Sequence, residues 1–198
     1  NLSLALAQEN RWDEGAAQAA AAYVQHPEDP AVRWQFALAC DKAGFVPGPL
    51  AEFLAPEAAA DLARLASPSE WQWVAAGAAA LAALAAALLL ALGYGAIARG
   101  WALPATLACL FLAVVAASAA CLGWRAYGET ADLRAAIVWH AGSLRSIPTE
   151  ADTAQKTTPL AAGSVGLADK RFLGWVRLDF GNGQTGWVRA EDVVPVWR

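Results

Sequence analysis

The residues of this chain that could do covalent or metal chemistry are few and far apart. There are two histidines, His26 and His140, and three cysteines, Cys40, Cys109 and Cys121. A metal centre needs three or four such ligands brought together, and His140, beside Trp139, has only the distant His26 as a second imidazole. The cysteines form no Cys-x-x-Cys pair, and Cys109 and Cys121 fall inside an apolar run, where a thiol acts as a small apolar side chain. Gly181-x-Gly183-x-x-Gly186 matches the letters of a dinucleotide fingerprint, but strand-like residues follow it, so no helix N-terminus is there to receive a pyrophosphate. Neither a nucleophile–base–orienter set nor a pair of carboxylates in a cleft context stands out, and the chain is expected to be neither an enzyme nor a cofactor protein. What remains is recognition. Trp139, Arg145, Phe172, Trp175, Arg177 and Trp187 are the candidate ligand or partner contacts, because rigid aromatic rings give contact area at little entropic cost. For Trp175 and Trp187, each following a glycine in a strand-like segment, packing in a core or rim is the competing fate.

Charge narrows the partners. Residues 1–70 carry four basic and ten acidic side chains, 71–133 two of each, and 134–198 eight basic and six acidic, within a total of −4. No segment has the clustered lysine and arginine that a nucleic-acid backbone requires, so nucleic acid is excluded as a partner.

The segments that would position those contacts are organised around Trp71 to Trp124. No residue from Trp71 to Ala98 is charged, nor any from Gly100 to Trp124, and Arg99 stands alone between the two runs. Each run exceeds the ~20 apolar residues that a helix needs to cross a bilayer, and only a helix satisfies its own backbone amides there. Trp71, Trp73, Tyr94, Trp101, Trp124 and Tyr127 fall where the membrane–water interfaces should lie and are expected to be the interface anchors. The spans are placed at about 71–98 and 101–124. Alanine rows and Gly77 favour close packing of the two helices on each other or on a partner's. No ionisable residue lies within either span, which argues against a transporter or channel. An even number of spans puts both soluble parts on one side. The sparse basic flanks, Arg64, Arg99 and Arg125, leave open which side that is.

Ahead of the hairpin the chain is helical. Asp13 to Gln25 ends at His26-Pro27, and Arg33 to Ala43 ends at Gly44, a usual helix stop. Trp12, Ala22 and Pro27, then Trp34, Phe36, Ala37 and Ala39, fall at the spacing of a tetratricopeptide repeat, which this part resembles. One helix pair plus half of each neighbour is present. Such pairs need neighbours to bury their apolar stripe, the chain has no methionine, and it opens in mid-helix. Further repeats in a longer precursor are therefore expected upstream. After Pro47-Gly48-Pro49, the residues Leu50, Phe53 and Leu54, then Ala58, Leu62 and Leu65, recur at helical spacing. Those short helices would either rest at the membrane surface or cap the last repeat. Ser67 or Ser69 caps the first span, with Glu70 favoured by the helix dipole.

From about Ala135 the period shortens to that of strands. Ile137-Val138, Thr158-Leu160, Trp175-Leu178, Gly186-Arg189 and Val193-Val196 read as five strands of a small closed barrel, with a long first loop. Asp179 to Gln184 reads as a hairpin around Asn182-Gly183, both with positive φ. Ser143-Leu144-Arg145-Ser146-Ile147-Pro148, Gly163, Gly174-Trp175-Val176-Arg177 and Gly183-Gln184-Thr185-Gly186-Trp187-Val188 resemble the motifs of bacterial Src-homology-3-type (SH3-like) domains. The Leu144-Arg145 segment departs from the usual spacing.

The expected fold is thus a multi-part membrane protein. An all-α tetratricopeptide-like repeat with an amphipathic linker takes residues 1–66, an α-helical transmembrane hairpin 67–128, and an all-β SH3-like barrel 129–198. This order of parts resembles the E component of the Bacteroides aerotolerance (Bat) operon. The resemblance implies a bacterial inner-membrane protein with soluble parts in the periplasm, encoded beside a MoxR-type ATPase and von Willebrand A-domain membrane proteins. The expected function is a membrane-anchored protein-interaction scaffold, or alternatively a tethered module that binds the peptidoglycan cell wall.

Overall fold

The computed structural model describes residues 2–55, 58–150 and 156–197. Helices α1 (Leu2–Gln8), α2 (Trp12–Gln25) and α3 (Pro30–Ala43) come first, followed by a 3-10 turn at Gly48–Leu54 and the short α4 (Ala58–Ala63). Two long helices follow, α5 (Pro68–Gly93) and α6 (Arg99–Ala126), and then a 3-10 turn at Gly128–Ala131. The remainder is a sheet of strands β1 (Ala135–Val138), β2 (Gly142–Arg145), β3 (Thr157–Leu160), β4 (Val165–Phe172), β5 (Trp175–Asp179), β6 (Thr185–Arg189) and β7 (Val193–Pro195).

Local signals set the helix ends. Asp29 accepts from Ala31 N and Pro30 occupies the first turn, so α3 begins before the expected Arg33. Gly44 closes it at φ 73°, a left-handed cap that costs glycine nothing. Ser67 and Glu70 form a full capping box at the start of α5, with Pro68 next to the cap. The first long helix stops at Gly93, short of the expected Ala98, and Gly95 turns the chain at φ 70°.

Both long helices are apolar enough to cross a membrane, and only 11% and 17% of their apolar windows are buried. A core helix of a soluble protein would be mostly covered, so these two present a lipid-like surface to their surroundings. Trp71 to Tyr94 and Trp101 to Trp124 each contain 24 residues, about 35 Å of helix against a hydrocarbon core about 30 Å thick. Between the helices the seam repeats every seven residues: Trp71, Ala78 and Ala85 on α5, Thr106, Ala113 and Ala120 on α6 are buried. A seven-residue period with alanine at the contact lets two helices run close together. At the base of the seam the Trp71 indole lies flat against Gly123, where a Cβ would stand 2.3 Å from Trp71 Cε2.

The hydrophobic core does not stop at the boundaries of the expected parts. Tyr23 stacks on Phe36 at 4.9 Å and meets Phe53 edge-on at 5.6 Å, and Phe53 packs on Tyr127 at 4.8 Å. The same buried cluster takes in Leu50, Ala63, Trp71, Ala120, Ile137, Val194 and Val196. One core therefore joins the N-terminal helices, the base of the hairpin and three strands of the sheet, β1, β4 and β7. Leu50 and Phe53 point into it, so the 3-10 turn caps the helical part. Polar ties run alongside: Gln25 Nε2 donates to Val196 O (2.6 Å), Trp197 Nε1 to Thr130 O (3.0 Å), and Arg64 to Phe53 O and Ala55 O.

Two of the six expected interface anchors are corrected by this packing. Tyr127 is wholly buried and donates its phenol to Ala63 O (3.1 Å) and Ala66 O (3.0 Å). Trp71 is 6% exposed and donates Nε1 to Ala63 O at 3.2 Å. Both supply donors to carbonyls at and just after the C-terminal end of α4. Trp73, Tyr94, Trp101 and Trp124 remain exposed on the hairpin.

The sheet is antiparallel throughout, in the order β3-β2-β6-β5-β4-β1-β7. Among the described residues it has seven strands, where five were expected. The longest, β4, escapes a hydrophobic reading because Asp169-Lys170-Arg171 runs through it and its second half is exposed. Strand β2 overlaps the start of the Ser143–Pro148 segment. Part of the expected long loop, 151–155, falls outside the described residues.

Two substitutions test the junction. Gly123→Val should destabilise the chain by about 1–3 kcal/mol, and Trp71→Ala added to it should cost less than the sum of the two, since the clash is then gone. Tyr127→Phe should cost about 1 kcal/mol, because Ala66 O loses its donor while Ala63 O keeps the Trp71 indole N–H. Denaturant unfolding in detergent, followed by circular dichroism, measures both.

Candidate functional site

Strand register assembles the candidate contacts into one row. Arg145 of β2 pairs with Trp187 of β6, Trp187 with Arg177 of β5, and Arg177 with Lys170 of β4. One step along, Trp175 pairs with Phe172 on one side and Arg189 on the other. Because side chains alternate across a strand, Val176, Leu178, Val188 and Leu144 turn to the inner side, where they pack with Ala136 and Val138. Trp175, Arg177, Trp187, Arg189 and Arg145 fall on the opposite face.

Gly186 makes this row possible. A Cβ there would stand 2.5 Å from Leu144 Cγ and 2.9 Å from Arg145 O, so only glycine lets β2 lie across β6 and bring Arg145 beside Trp187. The Asp179–Thr185 hairpin that delivers β6 closes through Phe180 N to Gln184 O (2.9 Å) and Gly183 N to Phe180 O (2.9 Å). Only Gly183 of the expected Asn-Gly pair takes a positive φ, 79°. The Asn182 side chain instead accepts from Gln184 N at 2.9 Å, an Asx-type turn.

The centre of the face is Trp175. Guanidinium carbons of Arg189 and Arg145 stand 4.9 Å and 5.6 Å from its ring, within the range of cation–π attraction. The two arginines bury the indole between them, so Trp175 serves as the floor of the face. Arg145 Nη1 donates to Thr149 O (2.7 Å), and Arg189 pairs with Glu150, which folds the segment after β2 back over the sheet. Trp187 and Arg177 are half-buried, with Arg177 at 4.0 Å from Asp169. Phe172 and Leu173 are exposed at the β4–β5 turn. A cavity of about 330 Å³ opens beside Arg145, between Lys156 and the Gly183–Thr185 turn. The face thus combines flat apolar area with several cations, the pattern that suits carboxylate-bearing ligands.

Trp139 is not part of this row. Its Nε1 donates to Glu191 O (2.8 Å) and its backbone N to Asp192 O (3.1 Å), which pins it to the 3-10 turn before β7. Arg189, in contrast, was not among the sequence candidates. The signal was present: it stands two residues after Trp187 on one strand, hence on the same face.

Elsewhere the reactive side chains are spread. Among the described residues, no group of three or more His, Cys, Asp or Glu is placed to hold a metal ion. Burial pushes the Cys40 thiol up to about 12, which leaves almost no thiolate at neutral pH.

Trp175→Ala should destabilise the protein by about 2–3 kcal/mol, because it removes the buried ring that two guanidiniums cover, whereas Trp187→Ala and Arg177→Ala should stay within about 1 kcal/mol of wild type. Thermal unfolding of the three full-length variants separates the floor of the face from its accessible part.

Compared with protein-family models, curated proteins and solved structures, this chain matches none.

Proposed function

We propose that the chain is a membrane-anchored protein-interaction scaffold. The observation that carries this reading is the basic and aromatic sheet face, held on a β domain whose core is continuous with the base of the apolar hairpin. A binding surface fixed in orientation close above a bilayer loses little freedom when it meets a partner in the same membrane. In this reading α1–α3 are a tetratricopeptide-like repeat and the sheet is an SH3-like barrel. Both stand on one side of a bacterial inner membrane, the periplasmic side if the resemblance to the Bat E component holds. The partners are then von Willebrand A-domain membrane proteins, working with a MoxR-type ATPase, and the segment that docks on the face is acidic.

A second reading has an observation in its favour. A half-buried Trp187 ring flanked by Arg145 and Arg177 also suits a sugar ring that carries carboxylates, as in peptidoglycan.

The triple variant Arg145→Ala, Arg177→Ala, Trp187→Ala separates the two. On the scaffold reading, the solubilised wild-type chain retains von Willebrand A-domain proteins of its own membrane, and the variant retains at least tenfold less, the loss of more than ~1.4 kcal/mol of contact energy. Co-sedimentation of the wild-type chain with purified sacculi, abolished by the same variant, would instead establish the cell-wall reading. Wild-type and variant behaving alike in both assays would remove the face from the function.

A further inference from the structure

Where α6 meets the soluble part, a cleft of about 690 Å³ lies between three segments. The 3-10 turn Gly48–Leu54 contributes Glu52, α4 contributes Ala59, and the last turns of α6 contribute Leu122 and Arg125, with Glu129 on the same wall. Its volume is that of a small-molecule site. Its position is at the charge boundary of the chain, because Arg125 follows directly on Trp124, the last residue of the uncharged run.

Two opposite charges face this cleft without neutralising each other. Neither Arg125 nor Glu52 takes part in any ion pair among the described residues. Glu129 is committed otherwise, since its Oε1 accepts from Gly181 N at 3.0 Å. On the side away from the soluble part, the cleft runs onto an apolar track. Leu122, Val115 and Phe111, spaced seven and four residues apart on α6, are all at least half exposed. A cation and a carboxylate that form no ion pair with any described residue, and an apolar track leading into the hairpin, reproduce in mirror image the layout of a zwitterionic phospholipid.

We propose that this cleft binds phosphatidylethanolamine. The phosphate lies on the Arg125 guanidinium, which suits it as a forked donor. The primary ammonium donates to Glu52, and an acyl chain runs along Leu122, Val115 and Phe111. A choline head group carries the same charges but has no N–H to donate, and phosphatidylglycerol has no cation, so the Glu52 contact selects ethanolamine over both. This site rests on the hairpin being inserted in a bilayer.

The test uses the full chain in bacterial membranes. An alkaline carbonate wash comes first; release of the chain there overturns the anchor, and the lipid site with it. Retained protein is then purified in mild detergent and titrated with phosphatidylethanolamine, phosphatidylcholine or phosphatidylglycerol under native mass spectrometry. The expected result is one phosphatidylethanolamine per chain, held about tenfold more strongly than the other two, the ratio set by one charge-assisted hydrogen bond. Glu52→Gln should abolish the preference over phosphatidylcholine, whereas Arg125→Gln should weaken both lipids. Both side chains are exposed, so the variants should unfold at the wild-type temperature, which keeps the comparison sound. Equal retention of the three lipids by wild type, or a preference that survives Glu52→Gln, overturns the lipid site while leaving the anchor in place.

Discussion

The phenol of Tyr127 is the constraint through which the parts of this molecule are held together. It sits one residue beyond α6, wholly buried, with its hydroxyl donated to two carbonyls at and just after the end of α4 and its ring against Phe53. Burial pushes its pKa above that of an ordinary phenol, so it remains a neutral donor. From that point the aromatic contacts run through Phe53 to Tyr23 and Phe36, and the aliphatic ones run to Ile137, Val194 and Val196 in the sheet. A shared core of this kind makes relative motion of the parts costly, because any rotation would expose apolar surface at about 25 cal/mol per Å².

That rigidity changes what the hairpin means. Two apolar helices on a flexible linker would only keep a protein near a bilayer. Here Trp71 is locked into Gly123 and bonded to Ala63, so the first turn of α5 and the last of α6 are part of the soluble core as well as the start of the apolar shaft. The alanine seam above them brings the helices close, and their outer surfaces stay apolar. The sheet face is therefore carried at a set height and angle over whatever surface the hairpin enters.

The face depends on a different economy of side chains. Trp175 is held by two guanidiniums and contributes shape, while Trp187 and Arg177 contribute reachable surface. The same arginines organise the segment after β2 through Thr149 and Glu150. Loop and face are thus coupled: a ligand that competes for Arg189 must also displace Glu150.

By itself the sequence determined what depends on local composition. Two runs of more than twenty uncharged residues supply helices long and apolar enough to cross a membrane. Ser67 with Glu70, and Gly44 after Ala43, mark helix ends because the capping groups lie within a turn of the amides and carbonyls that they satisfy. The alternation in Gly174–Arg177 and Gly186–Arg189 likewise shows two strands before any partner strand is known. What the tertiary structure decided is which aromatic rings face outward. Trp71 and Trp73 are the same residue type two positions apart, yet one is buried and the other is 78% exposed, because α4 and Gly123 lie on one side of α5 only. Strand β4 is masked by its charges, and Tyr127 has the sequence position of an interface residue but is buried in the core. Each of these depends on which element packs across the gap, and that partner lies far along the chain, beyond the reach of any local pattern.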